Sequence, residues 1–312
     1  MNILQVIRTQ ADQSKTLSAS EAREQDELRA KYPNIQTDGS YVFEMRSLTE
    51  NARRSFTQSS RANNFTNKTL DVVDEFLDRI YVLRNARGPV NLPYISANNA
   101  QWKETGTAPD INGTLTTEKL QPKRLATFVD ISREFLNFSN ADFSEKLNAM
   151  ILQAVYDKLV ETILSDEAAT DDQPAGVFNT LTPTSLTADA TLKSQLAALQ
   201  YAGDQNKKPC VWILSPKAKQ EVFTYLDIQN DKILGSDYII DNRMQDGFIA
   251  YLPLDLFFVA EFGLCSLTCD AVTKLVDGIV RLTVNAYFNF DYVDKTKIQI
   301  AEFSAQEANT ED

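Results

Sequence analysis

Residues 102–179 constrain this chain more than any other stretch, because distinct kinds of local sequence follow one another there without a gap. A polar segment punctuated by Gly106, Pro109 and Gly113 comes first, and a compact β-prone run at 125–131 follows it. Asn140, Asp142 and Glu145 then supply a helix-capping pattern. Behind it, Phe143, Leu147, Met150, Ile151, Ala154, Val155, Leu159 and Ile163 recur at steps of three and four. That spacing predicts an amphipathic helix over 142–164, about seven turns long, with its apolar stripe in the core. The acidic, turn-rich run SDEAATDDQPAG at 165–176 ends it.

The flanking sequence suits extensions rather than a second copy of this pattern. Weak strand signals at 91–96 and 114–119 bracket the Gly/Pro segment, which reads as a long two-stranded hairpin projecting from the body. A two-stranded ribbon is marginal alone, so it should lie on something, most simply another copy of the chain. Residues 51–70 are polar and carry Arg53, Arg54, Arg61 and Lys68 with no acid. Too little apolar surface is available there to bury, so this is an arm that faces phosphate or a neighbour's acidic patch, or else a solvated linker. Ser18 and Glu21 form a capping box for a short exposed helix that Pro33 stops. Residues 70–84 have approximate helical spacing, with a β-branched and aromatic run near Ile80 that also suits a strand.

Towards the C-terminus the patterns alternate between helix and strand. A helix near 192–201, a buried strand at 210–214, a helix opened by Ser215 and Pro216, and turns at Gly235 and Gly247 make up a region over 187–256. After Gly278, Leu282, Val284, Ala286, Phe288, Phe290 and Tyr292 alternate with polar residues, the clearest strand in the chain. Residues 297–303 repeat the alternation briefly, and the tail beyond them is acidic.

Composition excludes much chemistry. There is no histidine, which removes the usual general base near neutral pH, the Ser-His and Cys-His nucleophile pairs and imidazole metal ligands. Cys210, Cys265 and Cys269 are too few for a disulfide scaffold or a zinc ribbon, and read as reduced, intracellular thiols; Cys265 and Cys269 could bring two thiols near each other. The acids at 165–176 lack the spacing and central Gly of a calcium loop. No cofactor motif is present. A formal net charge of −12 repels nucleic acid and anionic membrane unless the basic groups are segregated. The N-terminus lacks a secretory apolar core and the run at 248–263 is too short and polar to span a bilayer, so a cytoplasmic protein without a membrane role is expected. Carboxylate pairs such as Glu104 with Asp110, or Asp130 with Glu134, are the remaining catalytic option.

The wording of several segments resembles the tailed-bacteriophage major capsid proteins with the Hong Kong 97-type fold. The resemblance lies in WKETGTAP at 102–109, QPKRLATFVDISREFL at 121–136, the helix at 142–164, QPAG at 173–176, WILSP at 212–216 and the terminal strands, and it spans most of 70–303. It implies an α+β fold with an N-terminal helix and extended arm (1–69), a peripheral domain (70–89, 121–186 and 257–303) holding the long spine helix, an extended loop hairpin (90–120), an axial domain (187–256) and an acidic tail (304–312). It implies a shell of hexamers and pentamers around double-stranded DNA, assembled in the bacterial host cytoplasm, with portal and scaffold, protease or decoration proteins as partners. Trp102, Lys103, Glu104 and Pro109 would make inter-subunit contacts from the loop. Arg53, Arg54, Arg61 and Lys68 would touch the interior or a neighbour. Many family members begin with a long helical scaffolding segment, where this sequence shows only the short helix near Ser20 to Lys31, and Lys103 does not match the register of the lysine that cross-links some of them. A nanocompartment shell of the same fold, enclosing a cargo protein, is the first alternative, and a carboxylate-dependent hydrolase the second.

Overall fold

The alternation after Gly278 becomes a single strand of 14 residues around which the rest of one sheet is built. A computed structural model of the protein describes residues 41–43, 75–95, 115–134, 141–205, 208–226, 232–263 and 265–303, with isolated helical positions at 22, 23, 26, 27 and 30 inside the predicted N-terminal helix. The elements are β1 (Tyr41–Phe43), α1 (Glu75–Arg79), β2 (Tyr81–Ala86), β3 (Val90–Ile95), β4 (Leu115–Leu120), β5 (Lys123–Ser132), α2 (Ala141–Ile163), β6 (Thr184–Leu186), α3 (Leu192–Asp204), β7 (Val211–Leu214), α4 (Pro216–Tyr225), β8 (Tyr238–Ile240), β9 (Phe248–Leu252), β10 (Phe257–Phe262), β11 (Cys265–Asp270), β12 (Ile279–Tyr292) and β13 (Gln299–Phe303).

β10 and β11 follow one another along the same edge of β12, both antiparallel to it, so that 257–292 forms one long hairpin. β5 pairs along the other edge of β12, from Ile279 opposite Ser132 to Phe288 opposite Lys123. β2 lies parallel to β10, and β1 antiparallel to β11. Every second residue of β12 from Val280 to Tyr292 is buried, as period-two alternation requires when one sheet face is covered. The cover is α2, whose Leu147, Ile151, Val155, Leu159 and Ile163 share a core with β12. Two members of the predicted stripe, Met150 and Ala154, are exposed instead, while Val160 and Leu164 are buried. A row of every fourth residue drifts by about 40° per step around a helix, so the covered face shifts along α2.

The predicted helix over 70–84 is shorter than its periodicity suggests, and residues 70–74 fall outside the described set. α1 is one turn, and from Tyr81 the chain is strand, with Tyr81 opposite Phe258 and Val82 opposite Val259. The β-prone side chains there find a partner edge in β10, and pairing outweighs helical spacing. At this junction Phe257 meets Phe76 and Tyr292 edge to face, with ring centroids 5.2 Å and 4.8 Å apart. Each such contact contributes about 1 kcal/mol beyond burial.

The second sheet has the order β6-β13-β9-β7-β8, with α3 and α4 packed on it. Ser215 caps α4 as its sequence predicts: the buried hydroxyl accepts from the amides of Ala218 and Gly247, and Pro216 follows at the start of the helix. Gly235 and Gly247 both have φ of +84°, the left-handed turns expected of them. Trp212 and Tyr251 pack with centroids 4.4 Å apart, and the Tyr251 hydroxyl, pushed up to about 12 by burial, donates to Asp204. β13, which lies within 257–303, and β6, which lies within 121–186, pair inside this second sheet and not with β12.

The strand β11 separates Cys265 from Cys269. Four residues of extended chain hold the two Cα atoms of the CSLTC motif about 13 Å apart. Burial pushes the thiols of Cys210 and Cys269 up to about 11, which keeps both protonated at neutral pH.

Candidate assembly surface

All of the sequence-predicted contact residues, Trp102, Lys103, Glu104 and Pro109 in the loop and Arg53, Arg54, Arg61 and Lys68 in the arm, lie outside the described residues. What the structure describes is the root that carries the loop. β3 and β4 pair antiparallel from Val90 opposite Leu120 to Ile95 opposite Leu115, so the predicted hairpin forms with nearly its predicted bounds. Leu92 and Leu120 are buried against Ala260 and Phe262, which anchors the ribbon base to β10.

The root is also tied sideways. At the start of β5 the Lys123 ammonium donates to the carbonyls of Thr170 and Asp171, and Asn289 on β12 donates to the carbonyl of Gln121. The acidic turn is therefore an ordered buttress. Gln173 donates to Glu167, Asn179 to the carbonyl of Asp166, and the amides of Val177 and Phe178 to the carbonyls of Ile163 and Ser165 at the end of α2. Among the described residues no group of three or more acidic or thiol side chains is arranged to hold a metal.

On the face of the first sheet away from α2, Asp130 accepts from Arg281 at 2.7 Å and 2.9 Å and from Lys274 at 2.7 Å. The guanidinium of Arg281 also stacks 4.2 Å from the Phe128 ring. Hydrogen bonds from Arg281 and then Lys274 hold the Asp130 carboxyl well below the usual range. This corrects the pairing of Asp130 with Glu134 as catalytic acids: Glu134 is exposed, and Asp130 is shifted opposite to a general acid. Glu104 and Asp110 lie outside the described residues. Because the folded carboxyl is depressed, the cluster's contribution is complete above the ordinary value of 3.8 and is lost as pH falls towards the folded value. Asp130→Asn is expected to lower the melting temperature modestly near neutral pH, with the gap to wild type closing below pH 3.8. A gap unchanged across an acid titration would contradict this account.

A partly buried link joins α2 to the segment that follows β8. The Arg243 guanidinium donates through Nε and Nη2 to the two carboxylate oxygens of Asp241 and reaches Asp157 on α2 at 3.2 Å. Asp241 is almost fully buried, so the pair is satisfied where an isolated charge would be costly. No motif announced this link; its members are separated by 86 positions, and only the fold joins them.

No helix among the described residues is long and apolar enough to cross a membrane. The profile of the phage capsid family matches residues 67–248, and among curated proteins no sequence matches. Similar solved structures include the capsid of an empty GTA particle (13% identity over 81% of this chain and 99% of that one, TM-score 0.58) and the procapsid of satellite phage P4 (12%, 79% and 98%, TM-score 0.55). A structure from Mycobacterium phage Bobi is similar at 13% identity, over 80% and 97% of the two chains, with a TM-score of 0.53. Those likenesses, with the hairpin, the long helix and the two sheets, identify the α+β fold as the Hong Kong 97 type. Matched by that profile over more than half its length, the chain belongs to the phage capsid family.

Proposed function

We propose that copies of this chain associate as hexamers and pentamers into an icosahedral shell that encloses the double-stranded DNA of a tailed bacteriophage or prophage. The chain is a phage major capsid protein, a structural subunit rather than one built around a reaction. The observation that carries the assembly reading is the ribbon: β3 and β4 are rooted firmly at Leu92, Leu120 and Lys123, while residues 96–114 are a polar extension too poor in apolar side chains to form a core. A body with such an extension gains stability by laying it on a neighbour, and many modest contacts sum to a strong shell.

In this reading Trp102, Lys103, Glu104 and Pro109 contact the adjacent subunit, and Arg53, Arg54, Arg61 and Lys68 face the genome or a neighbour. The net charge of −12 is tolerable because packaged DNA need not be gripped by the whole surface. The sheet around β12 with α2 is the peripheral unit; the axial unit is 187–256, completed by the strands at 184–186 and 299–303 that share its sheet. Portal, scaffold, protease and decoration proteins are the expected heterologous partners, and assembly takes place in the host cytoplasm.

Negative-stain electron microscopy with light scattering of the purified chain tests the reading. Closed particles or flat hexameric sheets are expected. Particles that package a protein cargo in place of DNA when made in cells would replace the genome shell by a nanocompartment, and a chain that stays monomeric even with scaffolding protein supplied would defeat the shell itself.

A further inference from the structure

The two sheets share one antiparallel pair of chain segments, interrupted at a single level. β10 runs against β12 with Phe257 opposite Tyr292, and β9 runs against β13 with Tyr251 opposite Gln299. Between these ladders both segments leave the extended form together. Leu254–Leu256 and Lys295–Lys297 are each a short 3₁₀ turn, the first preceded by Pro253 and the second by Asp294, whose carboxylate accepts from the Thr296 amide. The Val293 amide donates to the carbonyl of Leu256 and the Tyr292 hydroxyl to that of Pro253, which ties the two turns to each other. Residues at the ends of elements absorb changes in backbone angle, so this break is where one sheet can tilt against the other. Ile239, Met244, Ala250 and Leu252 belong to the same core as Leu159 and Ile163 of α2, which limits the tilt to a small slide of packed side chains.

Resting on the shell reading above, we propose that the break at 253–256 and 293–298 is a hinge that lets one chain fit both five-fold and six-fold rings, and that the Arg243–Asp157 contact is the strut that sets its angle. Rings of five and of six turn neighbouring copies through different angles, and a rigid body closes only one of them. The two ends of the strut are built differently. On the side of the second sheet Arg243 is fixed: its amide and Nε donate to one oxygen of Asp241 and Nη2 to the other, and the Asp241 side chain is 3% exposed. Breaking that end would strand a buried carboxylate. On α2 the Asp157 side chain is 44% exposed and also accepts from Gln153 one turn earlier, at 2.6 Å. When α2 slides and Nη1 loses Asp157, the carboxylate keeps Gln153 and water, and Arg243 keeps Asp241. The contact therefore opens and closes without leaving a buried group unpaired, as an adjustable strut requires. Arg243 and Asp157 are positioning residues: they set the angle between units whose outer surfaces meet the neighbours.

Three variants of the full-length chain, assembled beside the wild type and sized by electron microscopy, test this. Asp157→Ala is expected to keep the melting temperature within about 2 °C of wild type, because the lost ion pair is half exposed. Its particles should nevertheless spread over about twice the wild-type range of diameters, since the angle is no longer set. Asp157→Glu, whose carboxylate still reaches the guanidinium, should restore the wild-type range. Lys295→Pro places proline at the first position of its 3₁₀ turn, where the ring fixes φ without breaking the turn, and should give a folded chain that builds rings of one size only. Wild-type diameters from Asp157→Ala, or a broad range that Asp157→Glu does not narrow, would overturn the strut and leave the shell reading intact. Normal closed shells from folded Lys295→Pro would overturn the hinge, again without touching that reading. A wild-type chain that never assembles would overturn both.

Discussion

Replacing residues 96–114 by Asn-Gly, so that Ile95 and Leu115 are joined through a two-residue turn, is expected to give a folded, soluble chain that no longer forms particles. The register supports the design, because Ile95 and Leu115 are opposite one another and a type I′ turn spans such a pair. The residues that anchor the ribbon, Leu92 and Leu120 against Ala260 and Phe262, remain in place. Circular dichroism and the melting curve should therefore stay near wild type, while light scattering and microscopy lose the shell. Particles of normal yield would remove the loop from the assembly surface, and a chain that fails to fold would make the segment part of a core.

Gly176→Ala should damage the fold itself. A Cβ at this position would run into the backbone carbonyl of Ser165, which cannot move without releasing the end of α2. The neighbouring amides of Val177 and Phe178 cap carbonyls of that helix end, and both side chains are buried in the main core. Displacing them combines overpacking with the loss of caps, so a cost of about 3 kcal/mol or more is expected. That corresponds to a fall of roughly 6 °C or more in melting temperature. Because the collision is with backbone, adding Ser165→Ala should not rescue the variant; rescue would show that the hydroxyl alone was in the way.

The candidate surface was legible only in part. The ribbon could be read because Gly106, Pro109 and Gly113 interrupt two β-prone runs, and its strands lie within a residue of their predicted limits. Ser215 and Pro216 announced α4 by local capping chemistry. The break between the sheets was not read: residues 253–256 and 293–298 fall side by side only because β9 pairs with β13 and β10 with β12 on either side of them. Around Ile80, Tyr81 and Leu83 the sequence left helix and strand both open for a related reason, since their spacing suits a helix until β10 offers an edge to pair with.

The sequence by itself determined the local elements whose signals are short-ranged: the period of two in β12, the long stripe of α2, the caps and the glycine turns. It also ruled out histidine chemistry by composition alone. Only the tertiary structure decided the partners of those elements. Pairing joins residues far apart in the chain, as in Asp157 with Arg243, Asp130 with Arg281, and β13 with β9 rather than β12. Which pairing wins depends on how much surface two distant segments bury together, a quantity that no local window contains.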